Sequence, residues 1–414
     1  MSKRVLQKII IVLLFVFFTF NNAPYTYGSG FAIFTQSASS LGQGAATIAH
    51  SDDPSAVFFN PALINKLDGT QIQLGTTLIF PTRKFTSDGS TFKTKSDVFY
   101  PSTIFITHKF NDKISAGLGV FNPFGLGTKW PDDWEGRYIT TNAEMQTYNI
   151  NPAVSYQITP DIAIAGGVNF LFLNAKLENK INLDPFSDGG QKFKGDGTGV
   201  GYNLGILVEP HKDVSIGVSY RSEIKVDIDG RATHKNIPDP LSPWFPDTNG
   251  STKIILPAQA HAGVFYKGFD PLMLEVALRW EGWSSYDRLR IELDQPVAGS
   301  TVSDTPKNWK DTYSVSIGGK YQLNKTVALL AGYLYSGNPV PDNTFEPSVP
   351  DANTHLFTLG TSIIQKNFKI DLAYGYQKLE DRKKNNSVGL PAFTANGKYK
   401  SDLHMIGLSL TYKF

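Results

Sequence analysis

The chain has 414 residues, with 39 Lys and Arg against 37 Asp and Glu and a formal charge of +2, which excludes a general polyanion binder built on an overall basic surface. Cysteine is absent, so there is no disulfide framework, thiolate metal site or cysteine nucleophile. The apolar mass is carried by 28 Phe, 18 Tyr and 6 Trp beside 37 Gly and 24 Pro, a composition of strands and turns rather than of helical bundles or disorder.

In chain order, Lys3, Arg4 and Lys8 precede Ile9 to Phe20, where only Thr19 is not apolar. The pattern predicts a signal peptide over residues 1–28, cut near Ala23 or Gly28. Its apolar run is too short for a spanning helix, which needs ~20 residues. Residues 29–69 are dominated by small side chains, carry Asp52-Asp53-Pro54 and Asn60-Pro61-Ala62, and show no alternation before Gln71. So short a segment cannot bury a core of its own. It is expected to sit as a hatch, or plug, inside a larger host; a disordered tail would carry more charge and fewer rings.

From residue 70 to 414 the chain repeats long period-two segments separated by Gly, Pro, Asn and Asp. Val214, Ile216, Val218, Tyr220, Ile224, Val226 and Ile228 are predicted on one face, with Arg221, Glu223 and Lys225 on the other. Leu272 to Trp280 and Phe368 to Tyr376 alternate in the same way. The last segment runs Ile406, Leu408, Leu410, Tyr412 and Phe414. About fourteen such segments predict an all-β fold, a 14-stranded antiparallel transmembrane β-barrel with the hatch in its lumen. Each strand with its connection has about 25 residues, against the ~10 that cross an apolar band. Tight turns at Asn111-Asp112 and Leu323-Asn324-Lys325 alternate with longer connections, as short periplasmic turns and long outer loops would. A soluble sandwich or propeller also alternates, but has no need of such long strands or of Tyr and Trp near their ends.

Gly30-Phe31, Ser37-Ala38-Ser39-Ser40-Leu41-Gly42, Asp52-Asp53 and Asn60-Pro61-Ala62 occur in order. They are followed by Asn122-Pro123-Phe124-Gly125-Leu126, Tyr220-Arg221-Ser222, Trp309-Lys310-Asp311-Thr312 and the terminal Phe414. This set resembles the FadL/TodX family of outer-membrane transporters of long-chain fatty acids and aromatic hydrocarbons, across essentially the whole mature chain. The Asn122 and Trp309 motifs look closer to the TodX-like branch. The resemblance implies a monomeric, plugged barrel in the bacterial outer membrane that passes hydrophobic molecules without an energy-coupling protein. It also implies a kinked third strand with a lateral opening. A terminal strand ending in Tyr412 and Phe414 resembles the signal read by the barrel assembly machinery. The expected surroundings are outer-membrane lipid and lipopolysaccharide.

The residues supply candidates for each stage of such a route. Trp130, Trp134, Phe186, Trp244 and Phe245 fall in expected outer loops, where exposed rings would capture solute unless the loops pack on one another. Phe31, Ile33 and Phe34 either line the substrate pocket or anchor the hatch. Arg221 and Lys310, the latter placed on a face with Thr312, Ser314 and Ser316, could hold a carboxylate by a charge-assisted hydrogen bond, or pair with lumenal acids. Asn60-Pro61-Ala62 forms the expected hinge of the hatch. Pro123 removes a ladder donor, so Asn122, Pro123, Phe124 and Gly125 either break the wall or end the strand. No Gly-x-Ser-x-Gly, His-Glu-x-x-His or phosphate-loop pattern occurs. Asp227, Asp229 and Gly230 make only a fragment of a calcium loop. No catalytic residue, metal, cofactor or nucleic acid is expected. The rival readings are a hydrophilic porin and a surface receptor or adhesin.

Overall fold

A computed structural model describes residues 30–414; the expected signal peptide lies outside them. One antiparallel sheet closes on itself as a barrel of fourteen strands, as expected. The strands are β1 (Thr70–Ser87), β2 (Ser102–Lys109), β3 (Ile114–Phe121, resuming as Gly125–Lys129), β4 (Asn142–Thr159), β5 (Ile162–Ile181), β6 (Gly189–His211) and β7 (Val214–Arg221, resuming as Ile224–Lys235). They continue as β8 (Thr248–Leu256, resuming as Gln259–Phe269), β9 (Leu272–Glu281, resuming as Arg288–Val297), β10 (Ser300–Pro306, resuming as Thr312–Gln322), β11 (Val327–Ser336), β12 (Thr354–Gln365), β13 (Phe368–Leu379) and β14 (Gly397–Lys413). β14 pairs with β1 from Gln71–Lys413 to Thr86–Lys398, which leaves no free edge. Short strands Ser90–Lys93 and Arg382–Lys384 widen the sheet beside β1 and β14.

Asparagines fix the tight turns at one rim. Asn111 Oδ1 accepts the amides of Lys113 and Ile114 at 2.9 and 3.0 Å, and Asn324 Oδ1 those of Thr326 and Val327 at 2.8 and 3.0 Å. At the other rim the strands run on, so residues 189–197, 231–235 and 248–252 are strand rather than parts of longer connections. Backbone that rises out of lipid keeps its ladder because pairing satisfies it better than a loop would.

Outward-facing Leu359, Leu372, Tyr374, Ile406 and Leu408 are exposed in a band around the wall, the surface a lipid-facing barrel presents. The expected single face for Val214 to Ile228 is corrected by a change of side. Ile216 and Val218 face out while Ser219 and Arg221 are buried; beyond Ser222-Glu223 it is Ile224, Val226 and Ile228 that are buried. β8 switches likewise at Pro257-Ala258, from buried Ile254 and Leu256 to buried Gln259 and His261. Interruptions in β9 (282–287) and β10 (307–311) lie at the same height, since Arg221 pairs Gln259, Gln259 pairs Glu281 and Glu281 pairs Thr312. The physical reason is a change of surroundings: below the seam the apolar face meets lipid, and above it the outside is water and the apolar face turns in.

Inside the wall lie helices α1 (Ala38–Gly42) and α2 (Ala56–Phe59) and a 3-10 turn, Pro61–Lys66. Ser37 starts α1 by accepting the Ser40 amide on its hydroxyl. Phe58, Phe59, Leu63 and Ile64 pack against Phe105, Phe121 and Leu207 of the wall. The hatch has no core apart from the one it shares with the barrel.

Candidate functional site

The third strand is broken where the sequence places Asn122-Pro123. Asn122 Nδ2 donates to Thr147 O at 2.6 Å, and its Oδ1 accepts the Ser102 amide at 3.1 Å. Thr147 Oγ1 accepts from Phe124 N at 3.1 Å and donates to Phe124 O at 2.6 Å. A side chain of β4 thus stands in for the lost backbone rung, and the kink is a built feature.

The start of the described chain closes this break from within. Ile33 N–H donates to Pro123 O at 2.8 Å and Gly125 N–H to Phe31 O at 2.9 Å, around an Ala32–Phe124 bridge. Gln36 Nε2 donates to both Ile33 O and Asn122 O at 2.7 Å. The fit at position 125 is close, since a Cβ would stand 2.7 Å from Ile33 Cδ1 and the end of that side chain would have to shift.

Phe31 points from this short strand into a cage of rings above the seam. Its centroid lies 4.5 Å from Trp283, 5.5 Å from Trp309, 5.9 Å from Tyr286 and 6.3 Å from Phe124, mostly edge to face. Trp283 and Tyr286 come from the β9 interruption and Trp309 from that of β10, so the breaks in the wall are what supply the pocket. Above Phe31, the Gly30 amide donates to Asp351 Oδ2 at 2.9 Å. Burial pushes the Asp351 carboxyl up to about 7, against the pull of the Gly30 and Ala352 amides.

The expected hinge sits deeper. Asn60 Oδ1 accepts the Ala62 amide at 3.1 Å, while its Nδ2 donates to Ile48 O at 2.9 Å and to Ile206 O on β6 at 3.0 Å. Asn60, Pro61 and Ala62 are fully buried. A glycine is required opposite, because a Cβ at Gly205 would lie 2.4 Å from Asn60 Oδ1. Asp52 joins the same layer to the wall through Lys320 of β10 at 2.5 Å and Lys369 of β13 at 2.6 Å. Burial would raise Asp52, but the two ammonium groups hold it well below the usual carboxylate range. Glu275 of β9 accepts the Ile48 and Ala49 amides at 2.5 and 3.0 Å.

Several expected positions are corrected. Trp130 and Trp134 are 0% exposed, stacked at 4.4 Å, with their indole N–H groups on Pro347 O and Thr140 O. They are core of the outer loops because the 338–353 connection folds over them. Phe186 and Trp244 are exposed, Trp244 at 60%, while Phe245 is half-buried against His234. Lys310 is exposed and does not share the buried face of Thr312, Ser314 and Ser316, since residues 307–311 leave the strand and the alternation stops there. Arg221 is buried but already engaged: it donates to Asn169 Oδ1 and to Phe58 O, and lies 5.2 Å from the Phe58 and Phe121 rings. Tyr412 packs against Phe368 and Phe414 at the rim of the tight turns.

Arg279 was missed. It is 8% exposed, faces the lumen beside His261, and among the described residues its contact is the Phe34 ring at 4.9 Å rather than a hydrogen bond or ion pair. Glu281, the nearest carboxylate along the strand, acts on Arg279 through space while hydrogen-bonded to Gln259 Nε2 at 2.8 Å and Trp283 Nε1 at 3.4 Å. The signal was in the sequence, as Glu275, Arg279 and Glu281 share the polar face of an alternating segment.

A family model described as outer membrane protein transport protein (OMPP1/FadL/TodX) matches residues 21–414. The long-chain fatty acid transport protein of an Escherichia coli O6:H1 strain is 24% identical over 94% of this chain and 95% of its own length. The 47 kDa outer membrane protein of Pasteurella multocida is 24% identical over 93% and 94%. Among solved structures, a Pseudomonas aeruginosa FadL homologue superposes with a TM-score of 0.85 at 20% identity, covering 93% of this chain and all of that one. The Ralstonia pickettii toluene transporter TbuX gives 0.74 at 18% identity, covering 92% and 100%.

Proposed function

Because the chain belongs to the OMPP1/FadL/TodX family of outer-membrane transporters for hydrophobic compounds, we propose that it admits long-chain fatty acids or aromatic hydrocarbons by passive, ligand-gated diffusion and releases them sideways at the break in β3. The observation that carries the reading is the segment Phe31–Gln36, which fills the ring cage at one end and blocks the wall at the other. A ligand that takes the place of Phe31 among Trp283, Tyr286 and Trp309 removes the main apolar anchor of the strand that closes the break. Binding and opening are then one event, driven by the ligand's preference for the undocked state.

The exposed rings of Phe186 and Trp244 supply an apolar landing surface at the outer rim. Phe31, Ile33 and Phe34 are the hatch residues that the solute displaces, and Arg279 is the lumenal cation that a carboxylated solute would meet once Phe34 moves. Asn60-Pro61-Ala62 holds the lower hatch in place while the upper segment moves. A hydrophilic porin fits poorly, because the lumen is packed with rings and hatch; a receptor or adhesin leaves the engaged break unexplained.

The test uses a chain free of native cysteine. Ala32 and Phe124 are bridge partners of the non-hydrogen-bonded kind, with Cα atoms ~4.5 Å apart, inside the range a disulfide spans. Ala32→Cys with Phe124→Cys should block uptake of radiolabelled oleate and toluene when oxidised, and recover on reduction. Equal uptake in both redox states would remove the gating and the lateral exit together.

A further inference from the structure

The near-neutral net charge conceals a concentrated basic face, and the register of the sheet builds it. Lys84 of β1 is directly opposite Lys93 on one side and Lys400 of β14 on the other. One rung higher, Lys398 is opposite Lys383. Lys378 of β13 points to the same outward face, paired in register with Asp402. Like charges directly opposite one another on a sheet oppose folding, so this arrangement asks for a counter-charge. The chain supplies little of it. Asp381 reaches Lys398 at 2.8 Å and Lys400 at 3.2 Å, and among the described residues Asp402 and Glu380, the latter two residues beyond Lys378 and 3.5 Å from His355, are the other carboxylates on this face, three acids against six lysines.

The height of the patch identifies the counter-charge. On β14 the outward residues below it are Ile406 and Leu408, exposed in the lipid-facing band. Above them comes a ring layer in which Tyr374 Oη meets His404 Nδ1 at 2.7 Å and the Tyr376 ring lies 5.2 Å from His404. Aromatic side chains of this kind mark the interface between hydrocarbon and headgroups. Lys400 stands four residues beyond His404, ~13 Å along the strand at 3.3 Å per residue, on the side away from the tight turns. That is the level of the phosphorylated headgroups of the outer leaflet.

We propose that Lys84, Lys93, Lys378, Lys383, Lys398 and Lys400 form a binding site for the phosphate groups of lipopolysaccharide on the outer wall of β13, β14 and β1. The bound lipid neutralises a stack of lysines that would otherwise repel one another. The site borders the stretch of wall where β2 is short and β3 is broken, so an ordered lipid would flank that stretch. The inference rests on outer-membrane location alone and stands apart from the gating reading.

The experiment uses the purified full chain in detergent, with lipopolysaccharide and the same lipopolysaccharide dephosphorylated by hydrofluoric acid as probes. The patch variant carries Lys84→Ser, Lys93→Ser, Lys398→Ser and Lys400→Ser. A charge-matched control carries Lys113→Ser, Lys212→Ser, Lys267→Ser and Lys325→Ser at the opposite rim, and a third variant replaces the four patch lysines with arginine. At about fivefold per lysine near an anionic surface, the patch variant should bind intact lipopolysaccharide at least tenfold more weakly, with a smaller salt dependence. The control and the arginine variant should bind like the parent, and the dephosphorylated lipid should bind parent and patch variant alike. Retained affinity in the patch variant, an equal loss in the opposite-rim control, or undiminished binding of the dephosphorylated lipid to the parent would each overturn the site. Heat-modifiable mobility in gels checks that every variant is a folded barrel.

Discussion

Replacing Phe31 with alanine separates the hatch strand from the barrel energetically. The ring is 5% exposed and touches Trp283, Trp309, Tyr286 and Phe124, and deleting a buried phenylalanine costs ~3–5 kcal/mol. That cost falls on the docked state of residues 30–36, because the ladders that close the barrel run through β1 to β14 and do not include them. Without the ring, docking rests on six hydrogen bonds to the wall among the described residues: two between backbones at the break, one from Gln36 to Asn122 O, one from Gly30 to Asp351, and one each from the Thr77 and Thr103 hydroxyls to Thr35 O and Gln36 O. At about 1 kcal/mol net each, they are roughly matched or exceeded by ~1–2 kcal/mol of ordering entropy per residue over the segment. The docking equilibrium should therefore shift toward the undocked state by a factor of about 150 to 5,000. Hydrogen exchange read by mass spectrometry on the purified protein would show this as faster exchange at the amides of Ile33 and Gly125. The melting of the barrel followed by circular dichroism should stay put, and cells should become more sensitive to hydrophobic antibiotics. Unchanged protection at both amides would refute the ring-anchored strand. A parallel fall in barrel melting would show instead that the segment is an inseparable part of the barrel core.

Two further changes probe the layers on either side. Asn60→Ala deletes three buried hydrogen bonds, to Ile48, Ala62 and Ile206, at a cost of ~2–4 kcal/mol; limited proteolysis should cut the hatch while the barrel keeps its heat-modifiable mobility, and a hatch as resistant as the parent's would deny Asn60 a holding role. Asp351 gives a pH dependence. Its carboxyl is pushed up to about 7 by burial, from ~3.9 in the unfolded chain, so the folded form binds more protons between those values. The fold around Asp351 is strongest below pH ~4 and weakens as pH rises to about 7. Exchange at the hatch amides, corrected for intrinsic rates, should quicken across that window in the parent and hardly change in Asp351→Asn; a flat parent profile would remove Asp351 from the latch.

The barrel was legible because its signal is local: each strand alternates by itself, and an alternating segment such as Ile406 to Phe414 needs no distant partner to be read. What alternation does not encode is which face is inside. Ile216 and Ile224 look alike in sequence, yet one meets lipid and the other the ring cage, since the two-residue break at Ser222-Glu223 turns the strand over. Lys310 was misplaced by the same logic, as a phase carried across Lys307 to Asp311 has no strand to carry it. Trp130 and Trp134 failed for another reason, since the loop that buries them through Pro347 is more than two hundred residues away.

The pattern of success follows from these distances. Asn122-Pro123 was readable because proline acts on its own backbone; the Thr147 hydroxyl that holds the kink and the Ile33 strand that seals it lie outside any local window. The functional coupling is non-local in the same sense. Residues 31 and 283 meet because the hatch threads the lumen and the β9 strand breaks where the pocket needs a tryptophan. The lysine stack makes the point from the surface: Lys84, Lys93 and Lys400 are scattered in the sequence and adjacent only in register, so a chain with almost no net charge still carries a face that calls for phosphate. Charge counted along the chain excludes a basic protein, and charge counted along the rungs of the sheet finds a basic site.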